Sequence, residues 1–159
     1  MLLSLTSWRF WAPLVTGYAT SALCGGVPKT EGEIQPQRPP PYVFGIVWPV
    51  LYLLLGLSWA QAASSSVWWP CANRCAADLL HGVCTGLLVL WLLVFSCGKN
   101  KKAGIYVIAC ALACVTACMA LADGHTLSVL ALVPLWAWLF IAFHLNWHAV
   151  DGDDASRAD

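Results

Sequence analysis

Residues 39–73 read PPPYVFGIVWPVLYLLLGLSWAQAASSSVWWPCAN and contain no Asp, Glu, Lys or Arg. A charged side chain at the centre of a bilayer costs about 3 kcal/mol, so a long apolar stretch without charge is typical of a membrane span. The prolines at 39–41 open the stretch, and the serines at 64–66 followed by Pro70 disfavour a helix near its end. The stretch therefore predicts one transmembrane helix over residues 43–62.

On either side of this segment the chain contains four more charge-free intervals, each with room for the roughly 20 apolar residues that cross a bilayer. The predicted spans are 10–28, 43–62, 79–98, 103–122 and 126–148. We expect an all-α integral membrane bundle of five transmembrane helices, formed by one domain over residues 1–150 and followed by an acidic cytoplasmic tail over 151–159. Arg9 stands just before the first span, where its long side chain would snorkel to the interface.

The composition also indicates a membrane protein. Hydrophobic residues make up 60% and charged residues 10% of the chain, against about 45–50% and about 25% in soluble domains. Eight basic and eight acidic residues cancel, so no net field attracts nucleic acid, and the lipid bilayer is the expected partner. Because no Ser-His-Asp order, phosphate loop, H-E-x-x-H sequence or intramembrane pair of carboxylates occurs, hydrolytic and phosphoryl chemistry has no support, and we expect no catalytic residue and no enzyme of these classes.

Basic residues in the loops predict the orientation. With five spans, one side of the membrane carries only Arg9 and Arg74. The side of the C-terminus carries Lys29, Arg38, Lys99, Lys101, Lys102 and Arg157. The positive-inside rule therefore predicts a cytoplasmic C-terminus. The first loop, residues 25–41, is long and rich in Gly and Pro, and it would cover the cytoplasmic mouth of the bundle as a lid or a disordered spacer.

Ten tryptophans are a large excess for a chain of this length. Half of them lie at predicted span ends and fit the interfacial belts, where an indole N–H reaches water: Trp8, Trp11, Trp68, Trp69 and Trp147. In three spans, one-turn spacing places aromatic and small residues along one face. These stripes are Phe44, Trp48, Tyr52, Gly56 and Trp59 in the second span, His81, Cys84, Trp91 and Phe95 in the third, and Pro134, Trp138, Ala142 and Asn146 in the fifth.

The three stripes admit two interpretations. Facing one another, they would form a site for an apolar planar or polycyclic ligand, with Gly56 as a recess in an aromatic wall; alternatively, they are ordinary helix contacts or lipid-facing side chains. Asn146 is informative because an amide at membrane depth must hydrogen-bond to another helix, a ligand or trapped water. Spacing alone fits both interpretations equally well.

The eight cysteines predict neither a metal site nor a disulfide framework. Cys110, Cys114 and Cys118 share one face of the fourth span, but Cys-x-x-x-Cys is not the spacing of a zinc site. Disulfides are not implied, although Cys71 or Cys75 could pair on an oxidising side of the membrane.

Small residues predict close helix packing. The fourth span is filled with Ala and Cys and has no Trp, so we expect it to approach its neighbours closely. Gly82 and Gly86 form a G-x-x-x-G pattern in the third span, which fits either a dimer contact or packing within one bundle.

Two segments carry a resemblance to a known family. Residues 39–52, PPPYVFGIVWPVLY, look like the signature at the start of the second helix in the translocator protein family, which includes the bacterial tryptophan-rich sensory proteins and was once called the peripheral benzodiazepine receptor. Residues 134–146, PLWAWLFIAFHLN, resemble its fifth helix. The resemblance implies a five-helix bundle, often a homodimer, with a ligand pocket closed by the first loop.

The resemblance also implies a function. It points to a membrane receptor or transporter for porphyrins, sterols such as cholesterol, or other apolar polycyclic compounds, with protoporphyrin IX or haem as a ligand and no required cofactor. Nine residues stand at the family's pocket or motif positions, with Tyr42 where the family commonly has Trp: Tyr42, Phe44, Trp48, Tyr52, Trp91, Trp138, Ala142, Leu145 and Asn146. A light-dependent porphyrin-degrading catalyst and a scaffold with a vestigial pocket are the alternatives. Relatives occur in bacterial envelopes and in the mitochondrial outer membrane, and both locations remain open.

Several positions depart from the family pattern. Leu88 stands where many members have Asn, and Ile105 where a pocket Trp is often found. The loop before Pro39 lacks the family's Trp-Tyr-x-x-Leu-x-Lys-Pro stretch. The sterol-recognition pattern of animal members requires a Tyr and then a basic residue, whereas these positions are Trp147 and Asp151 here. We therefore favour a porphyrin over a sterol.

Overall fold

The computed structural model describes residues 6–24, 41–64, 74–98, 100–122 and 126–155. These residues form five α-helices and no strand, which confirms the all-α prediction for this part of the chain. The helices are α1 (Trp8–Leu23), α2 (Pro41–Ser64), α3 (Arg74–Leu92), α4 (Lys101–Leu121) and α5 (Thr126–Ala155). α3 continues into a π-helical turn, Leu93–Cys97. The first loop from residue 25 to residue 40, and with it the predicted lid, lies outside the described residues, as do Trp68, Trp69 and Cys71.

Four helices, α2 to α5, are long and apolar enough to cross a membrane. α1 has 16 residues and ends at Leu23, so it is shorter than the span predicted over 10–28, and a fifth crossing stays a prediction. α3 begins at Arg74 rather than at residue 79. Asp78, whose charge set the predicted limit, lies inside α3 and pairs with Arg9. α5 continues to Ala155, so the beginning of the predicted tail is helical.

Contacts at the two ends of the bundle show how the helices alternate in direction. At one end, the Arg9 end, Arg9 at the start of α1 pairs with Asp78 near the start of α3, and Ser58 near the end of α2 bonds to Ser128 at the start of α5. At the other end, the Phe95 end, the first turn of α4 lies against Phe95 at the end of the third helical segment. α1 and α3 therefore run in one direction, and α2 and α4 run in the other.

The centre of the bundle is a core of branched apolar side chains from α2, α3, α4 and α5. Its largest fully buried members include Leu55, Leu88, Val115, Leu132, Leu135 and Leu139. α4 packs between α3 and α5 through small residues, Ala111 and Cys118 among them. Within a membrane such contacts stabilise a bundle by van der Waals packing. Leu88, at the position where many relatives have Asn, belongs to this core.

A close approach of α1 and α2 changes the interpretation of Gly56. A Cβ atom at Gly56 would overlap the backbone carbonyl oxygen of Phe10, so the two helices touch at this position. Gly17 of α1 similarly leaves space for the ring of Tyr52, because a Cβ atom there would lie 2.5 Å from the ring. The recess expected beside the aromatic stripe at Gly56 is therefore filled by the backbone of α1.

The structure contains a disulfide that the sequence did not imply. Cys24, which follows α1, is bonded to Cys97 at the end of the π-helical turn, with their Cα atoms 5.1 Å apart. Cys75, considered above as a disulfide partner, is a free and exposed thiol. The bond was missed because the two cysteines are 73 residues apart and lie in segments with no shared pattern.

Candidate ligand-binding site

An aromatic cluster occupies the Phe95 end of the bundle. Its members are Phe44, Trp48 and Tyr52 of α2, Trp91 of α3, Phe95 of the π-helical turn and Trp138 of α5. α2 contributes three residues separated by one turn, so their side chains lie on one face of that helix. The face of α2 meets those of α3 and α5, so part of each sequence stripe lies at a common site.

The rings of the aromatic cluster form two groups of direct contacts, one around Trp48 and Trp91 and one between Phe44 and Trp138. Trp48 stacks on Trp91 with ring centroids 5.3 Å apart and an angle of 27° between the planes. Trp91 stacks in turn on Phe95 at 5.3 Å, and Tyr52 lies 5.5 Å from Trp48. Trp138 meets Phe44 edge to face at 5.7 Å, and both Trp48 and Trp138 pack on the central leucine core. These geometries are the favourable ones for aromatic pairs.

Three hydrogen-bonding groups of the aromatic cluster are buried without a partner among the described residues. They are Nε1 of Trp91, Nε1 of Trp138 and the hydroxyl of Tyr52. An indole N–H can only donate, and a tyrosine hydroxyl can donate as well. Leaving such a group unsatisfied costs about 1–3 kcal/mol, and native structures keep few of them. All three belong to residues of the aromatic cluster, which is therefore the candidate ligand-binding site.

Helix α4 closes one side of the aromatic cluster with small and aliphatic residues. A Cβ atom at Gly104 would lie 3.2 Å from Phe95 and 3.8 Å from Nε1 of Trp91, so this glycine provides the space beside the indole. Ile105, at the position of the family's Trp, is buried, and Ile108 packs with Trp91 and Ala142. Neither Gly104 nor Ile108 was identified from the sequence, because neither residue type differs from its neighbours in an Ala- and Cys-rich helix.

The other residues at the family's pocket or motif positions occupy different environments. Ala142 is buried against Trp91, next to the aromatic cluster. Asn146 donates its side-chain N–H to the carbonyl of Ala142 at 2.7 Å, so its amide is satisfied by its own helix rather than by the three partners expected above. Leu145 is half-buried, and Tyr42 is 69% exposed on the first turn of α2, away from the cluster.

The π-helical turn begins two residues after Trp91 and contains Phe95. At its C-terminal end, the N–H of Gly98 donates to the carbonyl of Leu93 at 2.8 Å and the N–H of Asn100 donates to that of Val94 at 3.1 Å. Such turns interrupt an α-helix and are frequent at functional sites. Here the turn places Phe95 on the aromatic cluster while its last residue, Cys97, reaches the end of α1.

A polar network at the Arg9 end contains Trp59, which the sequence placed in the aromatic stripe of the second span. Arg9 donates from Nε and Nη2 to the two carboxylate oxygens of Asp78 at 2.5 and 2.7 Å, and Trp59 donates from Nε1 to the same carboxylate at 2.7 Å. Arg9 thus pairs with a charge on α3 instead of snorkelling alone. Trp59, at the far end of the α2 stripe, supports an ion pair between α1 and α3.

His81 belongs to a second buried network at the same end. Its Nδ1 lies 3.0 Å from the carbonyl oxygen of Ala77, which can only accept, so Nδ1 carries the proton. In the neutral ring Nε2 therefore accepts from the hydroxyl of Ser58 at 3.1 Å, and the Ser58 hydroxyl lies 2.7 Å from that of Ser128. All three side chains are fully buried. The network joins α2, α3 and α5. No cluster of three or more metal-ligating side chains occurs in the described ranges.

Comparison with known protein families gives a match over most of the chain. The model of the TspO/MBR family matches residues 6–150 of the chain, which covers all five helices except the last turns of α5. No curated protein matches the chain.

Proposed function

Because the chain belongs to the TspO/MBR family and is an integral, multi-pass membrane protein, we propose that its aromatic cluster binds a tetrapyrrole of the porphyrin type. In this proposal the protein acts as a receptor or transporter and carries out no chemistry on the ligand. The observation that carries it is the group of three buried, unpartnered polar groups within a stack of aromatic rings.

The rings favour a flat ligand. Trp48 and Trp138 are half-buried, so part of each side chain is accessible, whereas Trp91, which stacks on Trp48, is buried. A macrocycle can stack on such faces whatever its ring substituents, because stacking depends on the π-surface. An apolar polycycle such as a sterol can use the same surface, but it lacks the flat π-system that gains most from it.

The unpartnered groups favour hydrogen-bond acceptors on the ligand. Protoporphyrin IX carries two carboxylates, which together can accept from Trp91, Trp138 and Tyr52. A sterol has one hydroxyl and can satisfy only one or two of these groups. α4 also begins with Lys101 and Lys102 at the Phe95 end, where positive charge would offset the cost of bringing carboxylates into the bundle.

Titration of the purified protein in lipid nanodiscs with metal-free protoporphyrin IX tests the proposal, with quenching of Trp fluorescence as the readout. We expect saturable quenching that weakens in Trp48→Ala and Trp138→Ala but persists in Trp147→Ala. Trp147 is the matched control because it is exposed near the end of α5 and lies outside the aromatic cluster. Quenching that does not saturate, or that is equal in all three variants, would refute the proposal.

The same samples distinguish the alternatives. If the protein degrades porphyrin, illumination with oxygen should convert the bound pigment into new products, and this conversion should depend on Trp48 or Trp91, whose stacked rings could carry an oxidising equivalent. We expect the pigment to be recovered unchanged. If the site is vestigial, no tetrapyrrole and no sterol should bind with saturation.

We also propose that the Phe95 end and the C-terminus face the cytoplasm, since the basic residues gather on that side. Cys75 then lies on the opposite side, where it is exposed near the start of α3. A membrane-impermeant maleimide should label Cys75 from outside intact cells or spheroplasts. Labelling of Cys75 only after the membrane is opened would reverse the orientation.

A further inference from the structure

The Cys24–Cys97 disulfide joins the end of α1 to the π-helical turn that follows α3. Cys24 caps the C-terminal end of α1 and is the last described residue before the first loop. Cys97 ends the π-helical turn that follows α3. Cys97 is exposed and Cys24 is half-buried, so a small thiol can reach the bond from the Phe95 end.

The disulfide and the aromatic cluster share the π-helical turn. Phe95 lies two residues before Cys97, stacks on Trp91 and touches the site of Gly104. Because the turn is a single π-helical turn at the end of its helical segment and not a regular α-helix, a tether on its last residue restricts Phe95 more than it would in a continuous helix. The bond therefore anchors one wall of the aromatic cluster to α1.

The charge pattern indicates that this bond is reversible. The loop and helix start that follow Cys97 contain Lys99, Lys101 and Lys102, which by the positive-inside rule face the cytoplasm. Disulfides in that compartment are as a rule transient or redox-sensing, because thiols are kept reduced there. An exposed disulfide also exchanges more readily than a buried one.

We propose that Cys24 and Cys97 form a thiol–disulfide switch that sets the mobility of the aromatic cluster and thereby the rate of ligand release. This inference rests on the proposed function for its ligand and on the disulfide for its mechanism. The oxidised form holds Phe95 and Trp91 in place, so the site is preorganised and releases its ligand slowly. The reduced form frees the turn and releases the ligand faster.

The chemistry is exchange with a low-molecular-weight disulfide such as oxidised glutathione. The thiolate of exposed Cys97 attacks that disulfide, forms a mixed disulfide and releases one thiol. Cys24, as its thiolate, then attacks the sulfur of Cys97 and releases the second thiol. In sum, two protein thiols lose two protons and two electrons, and one glutathione disulfide becomes two glutathiones. The reverse reaction consumes two glutathiones.

The first measurement needs no ligand and no variant. The full chain in nanodiscs is equilibrated with glutathione buffers, alkylated and mapped by mass spectrometry, and hydrogen exchange of residues 91–98 is followed in both states. We expect Cys24 and Cys97 to become alkylated together as the reduced share of glutathione rises, while Cys75 is alkylated throughout. Amide hydrogen exchange of the π-helical turn should be several-fold faster after reduction, as for any segment released from a tether.

The second measurement follows ligand release. Dissociation of protoporphyrin IX should be about two- to ten-fold faster in the reduced protein, the range expected for freeing one ordered side chain. The variants Cys24→Ser and Cys97→Ser should each release protoporphyrin IX at the faster rate in every redox buffer. In Cys75→Ser, the release rate should still change with the redox buffer as it does in the wild type.

The outcomes separate the two proposals. Equal hydrogen exchange of the turn in both states, equal release rates in both states, or a bond that glutathione neither forms nor reduces would overturn the switch. If the exchange of the turn responds to reduction but no porphyrin binds, the switch stands and the proposed ligand fails.

Discussion

The indole of Trp48 stacks on that of Trp91 with 5.3 Å between the ring centroids, and Nε1 of Trp91 has no hydrogen-bond partner among the described residues. Burying such a donor without a partner costs about 1–3 kcal/mol, and native structures keep few of them. This relationship between two residues is the observation on which the proposed ligand site rests, and spacing in the sequence did not predict it.

Replacing Tyr52 by Phe should affect stability and binding in opposite directions. The change removes a buried hydroxyl with no partner and keeps the ring that packs beside Gly17. The ligand-free protein should be unchanged or more stable by up to about 1 kcal/mol, whereas porphyrin affinity should fall about five-fold. Unfolding in mixed micelles and fluorescence titration measure the two effects, and Tyr106→Phe, on an exposed tyrosine, is the control. Loss of stability together with unchanged affinity would contradict a binding role for this hydroxyl.

Adding one methyl group at Gly104 should weaken ligand binding. The new Cβ atom would lie 3.2 Å from Phe95 and 3.8 Å from Nε1 of Trp91, so it narrows the space beside the unpartnered donor. We expect a loss of affinity of roughly ten-fold, since overpacking costs about 1–3 kcal/mol. Gly45→Ala is the matched control, because a Cβ atom there meets nothing within 4 Å. An equal effect of both substitutions on affinity would argue against the position of the site.

The two glycines Gly56 and Gly86 should respond differently to alanine. At Gly56 the Cβ atom would overlap the backbone of Phe10, so α1 and α2 must separate, and we expect a loss of about 1–3 kcal/mol or more. At Gly86 a Cβ atom has open space, and the stability of the monomeric bundle should not change. Unfolding of both variants in mixed micelles provides the comparison. A dimer that weakens in Gly86→Leu would assign this exposed face to the homodimer implied by the family.

Asp78→Asn should destabilise the Arg9 end of the bundle. The substitution leaves Arg9 without its carboxylate and weakens the bond from Trp59, with an expected loss of about 1–3 kcal/mol because the pair is only partly buried. The double variant Arg9→Gln with Asp78→Asn should recover part of this loss, since no unpaired charge remains. Porphyrin affinity should change little, because the aromatic cluster lies at the opposite end. If the double variant is the less stable of the two, the ion pair is not the cause.

Charge-free intervals predicted the four long helices because charge placement is a strong constraint in a bilayer. The prediction failed locally where a charge was compensated: Asp78 is inside α3 because Arg9 reaches it from α1. One-turn spacing likewise predicted which side chains share a face, and Phe44, Trp48, Tyr52, Trp91 and Trp138 do meet.

Spacing could not predict where along each stripe the site ends. Trp59 and His81 continue the stripes of α2 and α3 but belong to polar networks at the Arg9 end, since their partners Asp78 and Ser58 come from other helices. The Cys24–Cys97 bond was invisible for the same reason, because it depends on how α1 and α3 are aligned.

The most direct test of whether the unpartnered donors recognise the ligand compares the binding of protoporphyrin IX with that of its dimethyl ester. Both ligands are titrated into the wild type and into the double variant Trp91→Phe with Trp138→Phe. The ester keeps the macrocycle but lacks the carboxylates, and the variant keeps aromatic rings but lacks both indole N–H groups. We predict that the wild type binds the acid at least ten-fold more tightly than the ester and that the variant loses this preference, as hydrogen bonds to charged groups contribute about 1.5–3 kcal/mol. Equal affinity of the wild type for acid and ester, or a preference for the acid that survives in the variant, would contradict recognition of the ligand by these donors.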